Sequence, residues 1–438
     1  IGFTVRAQSN FHGTYFSFSN FGALSTNGPQ NSVLPVSLEK NTDKSIVIGG
    51  GITITASYSN QQYTGLSDFG SSGNPYSALL FGIGDNSTTK QKTSQPTFVA
   101  MNNVSTPSNS YYSATQSSIG SGMDVSTNYS FNQFVSSEGF VPPYQTLPFG
   151  TEQVYYMGNV TYTFSRPVDN PIIHITGLGG FLAIPDIFSA LPISAELELV
   201  SGQATSLTYL SGTMAPRLEP PQDLVRMFDI KNGNYIQSNY SEGYFAVLGI
   251  TGTSGIYAGT GSAVINGTNI SSVTFKIYLR GKSGDQQWTS YPGDASATEV
   301  FSGDRYNVTF TLPVYPLNGQ VLVDNLVTDP NIIVSDASFN TYPGSLYAIL
   351  VDENNKVIAS QLVNNTTGTY NFGEVMADNY KVVLSITNPT VGTTFSTDGA
   401  LAPNWTGSGQ TFNNTASNIS DLNYLDNKTL GFPVNFSN

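Results

Sequence analysis

Three aspartates in the last third of the chain have the residue type and the setting to bind calcium. Asp324 and Asp329 lie on one predicted loop, and Asp352 opens a predicted hairpin turn. Calcium takes about six to eight hard oxygen ligands, which carboxylates can supply. The spacing is not that of an EF-hand, and Asp also favours turns without any metal. The sequence therefore leaves two interpretations open, a calcium site and ordinary turn chemistry.

Residue types for nucleophilic, thiol or zinc chemistry are almost missing. The chain has no Cys, and its two histidines, His12 and His174, lie far apart. His174 stands between Ile173 and Ile175 at strand periodicity, which predicts a structural role. No nucleophile elbow, His-Glu-x-x-His motif or complete phosphate-binding loop is present, and nothing singles out the carboxylate pair that a glycosidase needs. We therefore expect no enzymatic activity and no required cofactor.

Asn-x-Ser/Thr acceptor sites are more frequent than the composition alone would produce, which predicts N-linked glycans on the surface. Turns rich in Asn and Thr explain part of this excess without any glycan. The acceptors are Asn86, Asn103, Asn128, Asn159, Asn239, Asn266, Asn269, Asn307, Asn364, Asn365, Asn404, Asn413, Asn418, Asn427 and Asn435.

Aromatic side chains are the remaining candidates for a binding site, because their ring faces can stack on sugars. Packing in a core or across strand pairs is the commoner use of such rings. Both interpretations stay open for Tyr111, Tyr112, Tyr155, Tyr156, Trp288 and Trp405.

The composition indicates strands and turns and excludes several partners. Charged residues make up 10% of the 438 residues, against roughly 25% in an ordinary soluble domain. The chain is instead rich in Gly, Tyr and Phe, which suit turns and pleated sheets. A net charge of −13 argues against nucleic acid and anionic membranes, which both attract basic surfaces.

An extracellular protein is expected from the two ends and from the hydropathy of the chain. The opening Ile-Gly-Phe-Thr-Val is typical of a mature, processed end, and no hydrophobic tail follows. Residues 243–265 are apolar but are broken by Gly, Ser and Thr. This pattern predicts strand, turn and strand rather than a membrane helix, so we expect no membrane insertion.

The elements that position all these side chains are predicted to be β-strands. Apolar and polar residues alternate over residues 1–8, 52–57, 160–165, 273–280 and 306–312. A period of two places one face of each strand in a core and the other in water. Short strands separated by Gly, Asn and Pro are typical of antiparallel β-sandwiches. Helix is expected only as about one turn near 185–191 and near 220–228.

Two prolines predict a domain boundary at residues 313–316, where we expect a stiff linker. Residues 1–312 are predicted to form a large jelly-roll-like sandwich. The sequence leaves open whether this part is one domain or two subdomains, about 1–145 and 146–312. Residues 317–438 are predicted to form a small prealbumin-like or immunoglobulin-like sandwich.

A resemblance to a known family lies in this small domain. Residues 368–382, Gly-Thr-Tyr-Asn-Phe-Gly-Glu-Val-Met-Ala-Asp-Asn-Tyr-Lys-Val, resemble the closing half of the B-type repeat module of serine–aspartate-repeat and collagen-type bacterial adhesins. Residues 346–358 are similar to the central hairpin of that module, and residues 319–325 to its opening strand. The region also resembles modules of large exported Bacteroidota proteins. Asp378 departs from the pattern, since the family has Gly in that turn.

The resemblance implies a prealbumin-like β-sandwich that serves as a stalk or spacer on a cell surface, often with bound calcium. It covers about a quarter of the chain. Residues 162–180 resemble a segment of bacterial surface proteins to which no activity is attached. This fits the lack of a catalytic constellation in the rest of the sequence.

The first strand suggests how copies of the chain could assemble. Ile1, Phe3, Val5 and Ala7 form one apolar face of residues 1–8, which end in a free terminus. Such a strand could fill a sheet edge of a neighbouring copy, or it could be the first edge strand of its own sandwich. We therefore expect a structural subunit of a surface filament, sheath or stalk that assembles head-to-tail. The alternative is a monomeric surface adhesin or carbohydrate-binding module.

Overall fold

The computed structural model describes most strands of the chain and the turns that join many of them. It describes residues 16–17, 27–37, 39–40, 48, 52–65, 77–85, 92–104, 107–113, 123–126, 128–136, 152–184, 189–213, 227–239, 258–282, 303–312, 314–320, 322–324, 344–352, 354–364, 366–376, 379–396, 405–406, 410–413 and 433–436. These residues form an all-β structure, as the composition predicts, with two short 3-10 turns at Met101–Asn103 and Asn109–Tyr111.

The described residues fall into two compact units. The larger unit holds those between residues 14 and 311, except Ile48. Its strands are β1 (Phe16–Ser17), β2 (Ser32–Ser37), β3 (Glu39–Lys40), β4 (Thr53–Ser59), β5 (Leu79–Phe81), β6 (Ile83–Asp85), β7 (Lys92–Ser94), β8 (Phe98–Ala100), β9 (Tyr129–Ser136), β10 (Glu152–Val168), β11 (Ile172–Leu178), β12 (Gly180–Ile184), β13 (Ser189–Leu199), β14 (Ala204–Gly212), β15 (Met227–Lys231), β16 (Tyr235–Asn239), β17 (Gly259–Gly267), β18 (Ile270–Lys282) and β19 (Gly303–Thr311).

Two large antiparallel sheets form the body of the large unit, and two small sheets pair β1 with β3 and β6 with β7. The eight-stranded sheet has the order β15-β16-β13-β18-β10-β4-β2, with β12 beside β13. The seven-stranded sheet has the order β14-β17-β11-β19-β9-β5, with β8 beside β9. Each sheet combines strands from before residue 145 with strands from after it. The large unit is therefore one sandwich and does not split into the two subdomains that the sequence left open.

Alternation along the central strands explains why they form a sandwich. In β10, Val160 and Tyr162 are buried while Thr161 and Thr163 lie on the outer face. Strand β18 alternates in the same way around Phe275. The strands predicted at 160–165 and 273–280 are confirmed, because a period of two separates a core face from a solvent face.

The seven-stranded sheet departs from this pattern because its central strands are buried on both faces. The sequence predicts that Asn307 and Thr309 of β19 face water, yet both are buried. The described residues within 101–113 cover this face: the Asn307 amide donates to the Met101 carbonyl, and Tyr112 is fully buried and bonds to Thr176 of β11. Polar groups enclosed in this way must bond to one another, and many of them do.

An aromatic core fills the space between the sheets. The rings of Tyr58 and Phe81 stack at 4.3 Å, and Tyr162 meets Phe310 edge-on at 4.9 Å. Gln133 of β9 lies at the centre of this core and is fully buried.

Three tyrosine hydroxyls converge on Gln133. Its Oε1 accepts hydrogen bonds from Tyr58 at 3.1 Å and from Tyr306 at 3.2 Å. Its Nε2 donates to the hydroxyl of Tyr162. One amide thus serves three aromatic side chains from both sheets, because β4 and β10 belong to one sheet and β9 and β19 to the other.

The edges of the two sheets are hydrogen-bonded to each other. At one end, Gln30, just before β2, exchanges backbone hydrogen bonds with Phe81 of β5. At the other end, the Leu207 amide of β14 donates to the Gly233 carbonyl between β15 and β16 at 2.6 Å. These bonds satisfy backbone groups that an open edge would offer to another chain.

The smaller unit holds Ile48 and the described residues from 312 onwards. Its four-stranded sheet has the order β23-β22-β25-β27, a two-stranded sheet pairs β20 with β24, and a third sheet has the order β21-β28-β26. Its strands are β20 (Val314–Gln320), β21 (Leu322–Asp324), β22 (Tyr347–Asp352), β23 (Val357–Leu362), β24 (Thr369–Met376), β25 (Asn379–Ser385), β26 (Trp405–Thr406), β27 (Gln410–Asn413) and β28 (Pro433–Phe436).

A single apolar cluster joins two layers of the small unit into a sandwich. Leu317 of β20 and Tyr370 of β24 pack with Leu350 of β22 and Val382 of β25. Ile48 packs against the same cluster and forms a parallel β-bridge with Val375. A residue from the first fifth of the chain therefore completes the core of the last domain.

The observed boundary differs in detail from the predicted one. Strand β19 ends at Thr311 and β20 begins at Val314, so the small unit starts before residue 317. The stiff linker predicted at 313–316 is wrong, because residues 314–316 pair with β24. The predicted helical turns are also wrong where they are described: residues 189–191 belong to β13 and residues 227–228 to β15. Sheet pairing with β12 and β16 overrides the local signals.

Candidate functional site

The outer face of the eight-stranded sheet carries a group of aromatic and charged side chains, several of which are partly exposed. Strand register places Tyr156 of β10 opposite Tyr278 of β18, which in turn lies opposite Glu196 of β13. The neighbouring outward position of β13, Glu198, lies opposite Tyr235 of β16. Side chains at directly opposed and diagonal positions are close enough to interact across strands.

Three rings form a row on this face, which we call the tyrosine row: Tyr156, Tyr278 and Tyr235. The ring centroids of Tyr156 and Tyr278 are 5.7 Å apart with an interplanar angle of 58°. Those of Tyr278 and Tyr235 are 5.9 Å apart at 35°. All three side chains are half-buried, so part of each ring faces solvent.

Each hydroxyl of the tyrosine row is held by a neighbouring side chain. Tyr156 donates to Asn159 Oδ1 at 2.8 Å, and Tyr278 donates to Glu198 Oε2 at 2.7 Å. Tyr235 donates to Glu196 Oε2 at 2.5 Å. These bonds fix the rings at both ends, because the backbone anchors one end and the hydroxyl anchors the other.

The charges around the tyrosine row balance. Glu196 forms an ion pair with Arg280 at 2.6 Å, and both side chains are largely shielded from water. Glu198 pairs with Lys276 at 3.4 Å in a more exposed setting, where such a pair contributes little to stability. The Arg280 guanidinium also donates to the Ser238 carbonyl at 2.6 Å. On the next strand, Lys231 lies opposite Tyr235, and Asp229 accepts a hydrogen bond from Gln237. Three carboxylates and three cations therefore make the surface locally neutral in a chain of net charge −13.

The tyrosines of the row stay protonated at physiological pH. Burial and then the Glu198 carboxylate raise the pKa of Tyr278 to about 12. Burial first, and then the hydrogen bond and charge of Glu196, raise the pKa of Tyr235 further. Neutral phenols of this kind are poor nucleophiles and poor bases. The row therefore offers a fixed aromatic surface with a polar border rather than acid–base chemistry.

Sequence reasoning found one member of the row and missed two. Tyr156 belongs to one of the predicted aromatic pairs, but Tyr278 and Tyr235 were not singled out. A signal for Tyr278 was present, because it occupies an outward position of the strand predicted at 273–280, where a large aromatic ring is unexpected.

The other predicted aromatic candidates fall elsewhere. Tyr112 is fully buried and bonds to Thr176, so it cannot stack on a ligand. Tyr111 packs beside it against an apolar cluster. Tyr155 lies opposite the buried Leu279 and so on the other face of β10. The backbone of Trp405 lies in β26, and Trp288 lies outside the described residues.

His174 is sealed inside the large unit, as its predicted structural role requires. Its Nδ1 lies 2.7 Å from the Ser262 hydroxyl and its Nε2 lies 2.9 Å from the Thr311 hydroxyl. Burial lowers the pKa of His174 to about 3, so the ring is neutral at physiological pH. No carboxylate bonds to it among the contacts described. The other histidine, His12, lies outside the described residues.

Of the three predicted calcium ligands, Asp352 is the one whose side chain the structure describes. Asp352 Oδ1 accepts hydrogen bonds from the backbone amides of Asn354 at 2.9 Å and Lys356 at 2.8 Å, which is ordinary turn chemistry. Asp324 lies in β21 beside β28, and Asp329 lies outside the described part of the chain. Across the described ranges, no three metal-ligating side chains cluster.

Calcium binding by the small unit remains a prediction that a chelator can test. If the ion binds only the folded state, EDTA should lower the melting temperature by mass action. The variant Asp352→Asn keeps an oxygen for the two turn amides but removes the charge that calcium prefers. It should therefore abolish the EDTA effect while leaving the turn intact. A melting curve that EDTA does not change would leave only the turn role.

The predicted glycan acceptors divide into three groups. Asn128 and Asn307 are fully buried, so neither can carry a glycan in the folded chain, and the prediction is wrong for both. Acceptors with side chains that reach solvent are Asn103, Asn159, Asn266, Asn269 and Asn364. Only the backbone is described at Asn239, Asn413 and Asn435, while Asn86, Asn365, Asn404, Asn418 and Asn427 lie outside the described residues.

Asn103 is the best placed of the described acceptors. It is exposed, and its Oδ1 accepts a hydrogen bond from Arg305 at 2.5 Å. That bond leaves the amide nitrogen, the atom to which a glycan attaches, pointing away from the contact.

The predicted donor-strand residues Ile1, Phe3, Val5 and Ala7 lie outside the described residues.

Comparisons with known proteins do not establish a family. No family model matches the chain, and no curated protein matches it. Among solved structures, it is similar to the T6 backbone pilin of serotype M6 Streptococcus pyogenes, which has a modular three-domain structure decorated with variable loops and extensions. The identity is 10% and the TM-score is 0.15, over 61% of this chain and 51% of the pilin. The match spans about half of the pilin's length, and a likeness this low carries no functional argument.

The adhesin-module resemblance thus rests on its sequence motifs alone. The central hairpin it implies corresponds to β22 and β23, and its closing half to β24 and β25. Within the described residues, no helix has the length and apolar character needed to cross a membrane.

Proposed function

We propose that the chain is an extracellular structural subunit of a surface filament, sheath or stalk, without enzymatic activity. The observation that carries the proposal is that buried polar side chains of the large unit form hydrogen bonds within the core. His174, Gln133 and Asn307 all lie inside and bond to neighbouring side chains or backbone. A sandwich whose polar groups serve packing suits a load-bearing subunit. Copies of the chain itself are then the principal partners, and nucleic acid is not one.

The edges of the two units favour the small unit as the place of assembly. The large unit closes both ends of its sandwich with hydrogen bonds between the sheets. In the small unit, β23 pairs with β22, and its first residue, Val357, bonds to Thr393. Towards its end, β23 has no second partner among the described residues, and Leu362 is 58% exposed. Such an edge can accept a strand from another chain.

Donation of residues 1–8 to a neighbouring copy is the specific form of the proposal. Insertion would bury Ile1, Phe3, Val5 and Ala7 and complete a hydrogen-bond ladder. Each large apolar side chain contributes about 1.5–3 kcal/mol when it is fully buried. Head-to-tail insertion is heterologous, so it extends an open fibre rather than closing a dimer.

Electron microscopy of negatively stained protein tests this proposal. The natural chain should form filaments. Phe3→Asp should stay folded and monomeric, because the charge would have to be buried in the neighbour. Thr4→Asp adds the same charge to the opposite face of the strand, so it should still polymerise.

Mass spectrometry of the same native preparation tests glycosylation. The intact mass of the chain should exceed that of the bare polypeptide by the mass of its N-linked glycans.

Three different results would contradict the filament, the donor strand and the glycosylation separately. Monodisperse particles at all concentrations of the natural chain would contradict a filament subunit. A lower melting temperature of monomeric Phe3→Asp would show that residues 1–8 pack within their own chain, which rejects donation alone. An intact mass equal to the polypeptide would reject glycosylation.

A monomeric adhesin or carbohydrate-binding module is the second candidate. The tyrosine row favours it, because the rings of Tyr156, Tyr278 and Tyr235 lie side by side, each partly exposed, on one sheet surface. Microscopy separates the two functions, since an adhesin of this kind needs no polymer.

A further inference from the structure

We propose that the tyrosine row is a binding site for a neutral oligosaccharide chain. The site lies on the large unit and is independent of the assembly proposed for the small unit. It can therefore operate in a filament subunit or in a monomer.

The geometry of the row fits an extended chain of sugar rings. Tyr156, Tyr278 and Tyr235 lie on β10, β18 and β16, so the row crosses four adjacent strands including β13. Successive ring centroids are 5.7 Å and 5.9 Å apart, which is close to the length of one pyranose unit. The negative face of an aromatic ring attracts the slightly positive C–H groups that line one face of a pyranose.

The side chains beside the tyrosine row on one side are small and do not cover its rings. Beyond Lys276 the outward positions are Thr274 of β18 and Thr161 of β10, whose hydroxyls lie 2.9 Å from each other. The next strand presents Ser57 opposite Thr161. Along this face, the described neighbours on that side are thus too short to cover the tyrosine rings.

The site is held in its binding geometry before any ligand arrives. All three hydroxyls are bonded to Asn159, Glu198 or Glu196. Rings that are already fixed lose little conformational entropy on binding, so more of the contact energy appears as affinity. Fixed tyrosines are among the most effective contact residues for this reason.

The charge of the surface selects a neutral ligand. Glu196 is paired with Arg280 and Glu198 with Lys276, so neither carboxylate is left to attract a cation. An anionic polymer would meet the overall charge of −13. The side chains of Lys276 and Asn159 at the border can hydrogen-bond to sugar hydroxyls. The chemistry of the site therefore matches an uncharged polyol better than a charged partner.

Affinity electrophoresis in native gels is the primary test. The folded chain should be retarded in gels that contain one or more of the neutral polysaccharides dextran, glucomannan, galactomannan and xyloglucan. Polygalacturonate, an anionic polymer, should not retard it. Isothermal titration with an oligosaccharide of the retarding polymer then gives the dissociation constant.

Substitutions in the row show where the ligand binds. Tyr278→Ala removes the central ring and should weaken binding by about tenfold or more. Tyr278→Phe keeps the ring but loses the bond to Glu198, so its effect should be smaller. Tyr209→Ala is the matched control, because Tyr209 is 39% exposed on β14 of the other sheet. It should bind like the natural chain.

The outcomes decide the proposal in either direction. Melting temperatures identify any variant that fails to fold, and Tyr156→Ala then replaces Tyr278→Ala as the test. No retardation by any of the four neutral polymers would overturn the proposal, as would binding that neither variant weakens. Sedimentation velocity provides the remaining check. If Tyr278→Ala abolished self-association and left polysaccharide binding unchanged, the row would be a contact between copies of the chain.

Discussion

Acidification from about pH 7 to about pH 4 should destabilise the large unit by about 3 kcal/mol through His174 alone. Burial lowers the pKa of His174 to about 3 in the folded chain, whereas an unfolded histidine has a pKa of 6.5. Between these values the unfolded state binds a proton that the folded state does not. The free energy of unfolding therefore falls as the pH falls, by about 1.4 kcal/mol per unit. At pH values above 6.5 neither state binds this proton, so His174 causes no loss in the free energy of unfolding.

The environment of the ring explains why it does not take up the proton. The groups that bond to it are the hydroxyls of Ser262 and Thr311, and the Tyr112 ring lies edge-on at 6.2 Å. None of these contacts supplies a negative charge to stabilise an imidazolium. Desolvation therefore determines the sign of the pKa shift.

Urea denaturation at a series of pH values checks this prediction. His174→Gln cannot titrate and keeps some hydrogen-bonding capacity towards Ser262 and Thr311. It should be less stable than the natural chain at pH 7 but should lose less stability on acidification. His12 is present in both proteins, so its contribution cancels. Equal slopes for the two proteins between about pH 6 and pH 5, where most carboxylates stay ionised, would contradict the prediction.

Replacement of Gln133 should have the largest effect of any single polar substitution in the core. Gln133→Leu leaves the hydroxyls of Tyr58, Tyr162 and Tyr306 without their common partner. Each buried hydroxyl without a partner costs about 1–3 kcal/mol. Partial relaxation reduces the sum, so we expect a loss of about 3–5 kcal/mol in the free energy of unfolding.

Matched variants separate the network from simple loss of a glutamine. Gln62 is exposed and bonds to the Asn60 carbonyl at 2.8 Å, so Gln62→Leu should change stability by less than about 0.5 kcal/mol. Tyr306→Phe removes one hydroxyl and should partly rescue Gln133→Leu, because the pair shares one interaction. Urea denaturation measures the natural chain, the three single variants and the double variant. A cost of less than about 1 kcal/mol for Gln133→Leu would show that the tyrosine hydroxyls find other partners.

Local periodicity was enough to predict the strands but not their neighbours. The alternation of Val160 and Tyr162 with Thr161 and Thr163 identifies the core face of β10 directly. The same pattern in β19 predicts a wet face at Asn307, which the described residues within 101–113 in fact cover. Coverage by a distant loop leaves no trace in the strand's own sequence. This is why both the buried polar layer and the burial of two glycan acceptors were missed.

The candidate site shows a similar limit. Tyr156, Tyr278 and Tyr235 are distant in sequence and become neighbours only through the order β16-β13-β18-β10. Alternation shows that Tyr278 faces outward, but no local signal specifies which strand lies beside β18. The convergence of three tyrosines on Gln133 depends on strand order in the same way.

Ile48 belongs to the small unit although the nearest described residues on both sides of it in the sequence belong to the large unit. Cleavage at one peptide bond therefore cannot separate the two units with both intact. The chain leaves the large unit after β3, bridges Val375 at Ile48 and returns to the large unit at Ile52. A fragment that begins at Val314 lacks the side chain that caps its core, and a fragment that ends at Thr311 carries Ile48 without its partner. During synthesis, Ile48 must also wait until Val375 has left the ribosome. A cut between β19 and β20 therefore separates Ile48 from the core that it contacts, and neither unit is contained in one continuous segment of the chain.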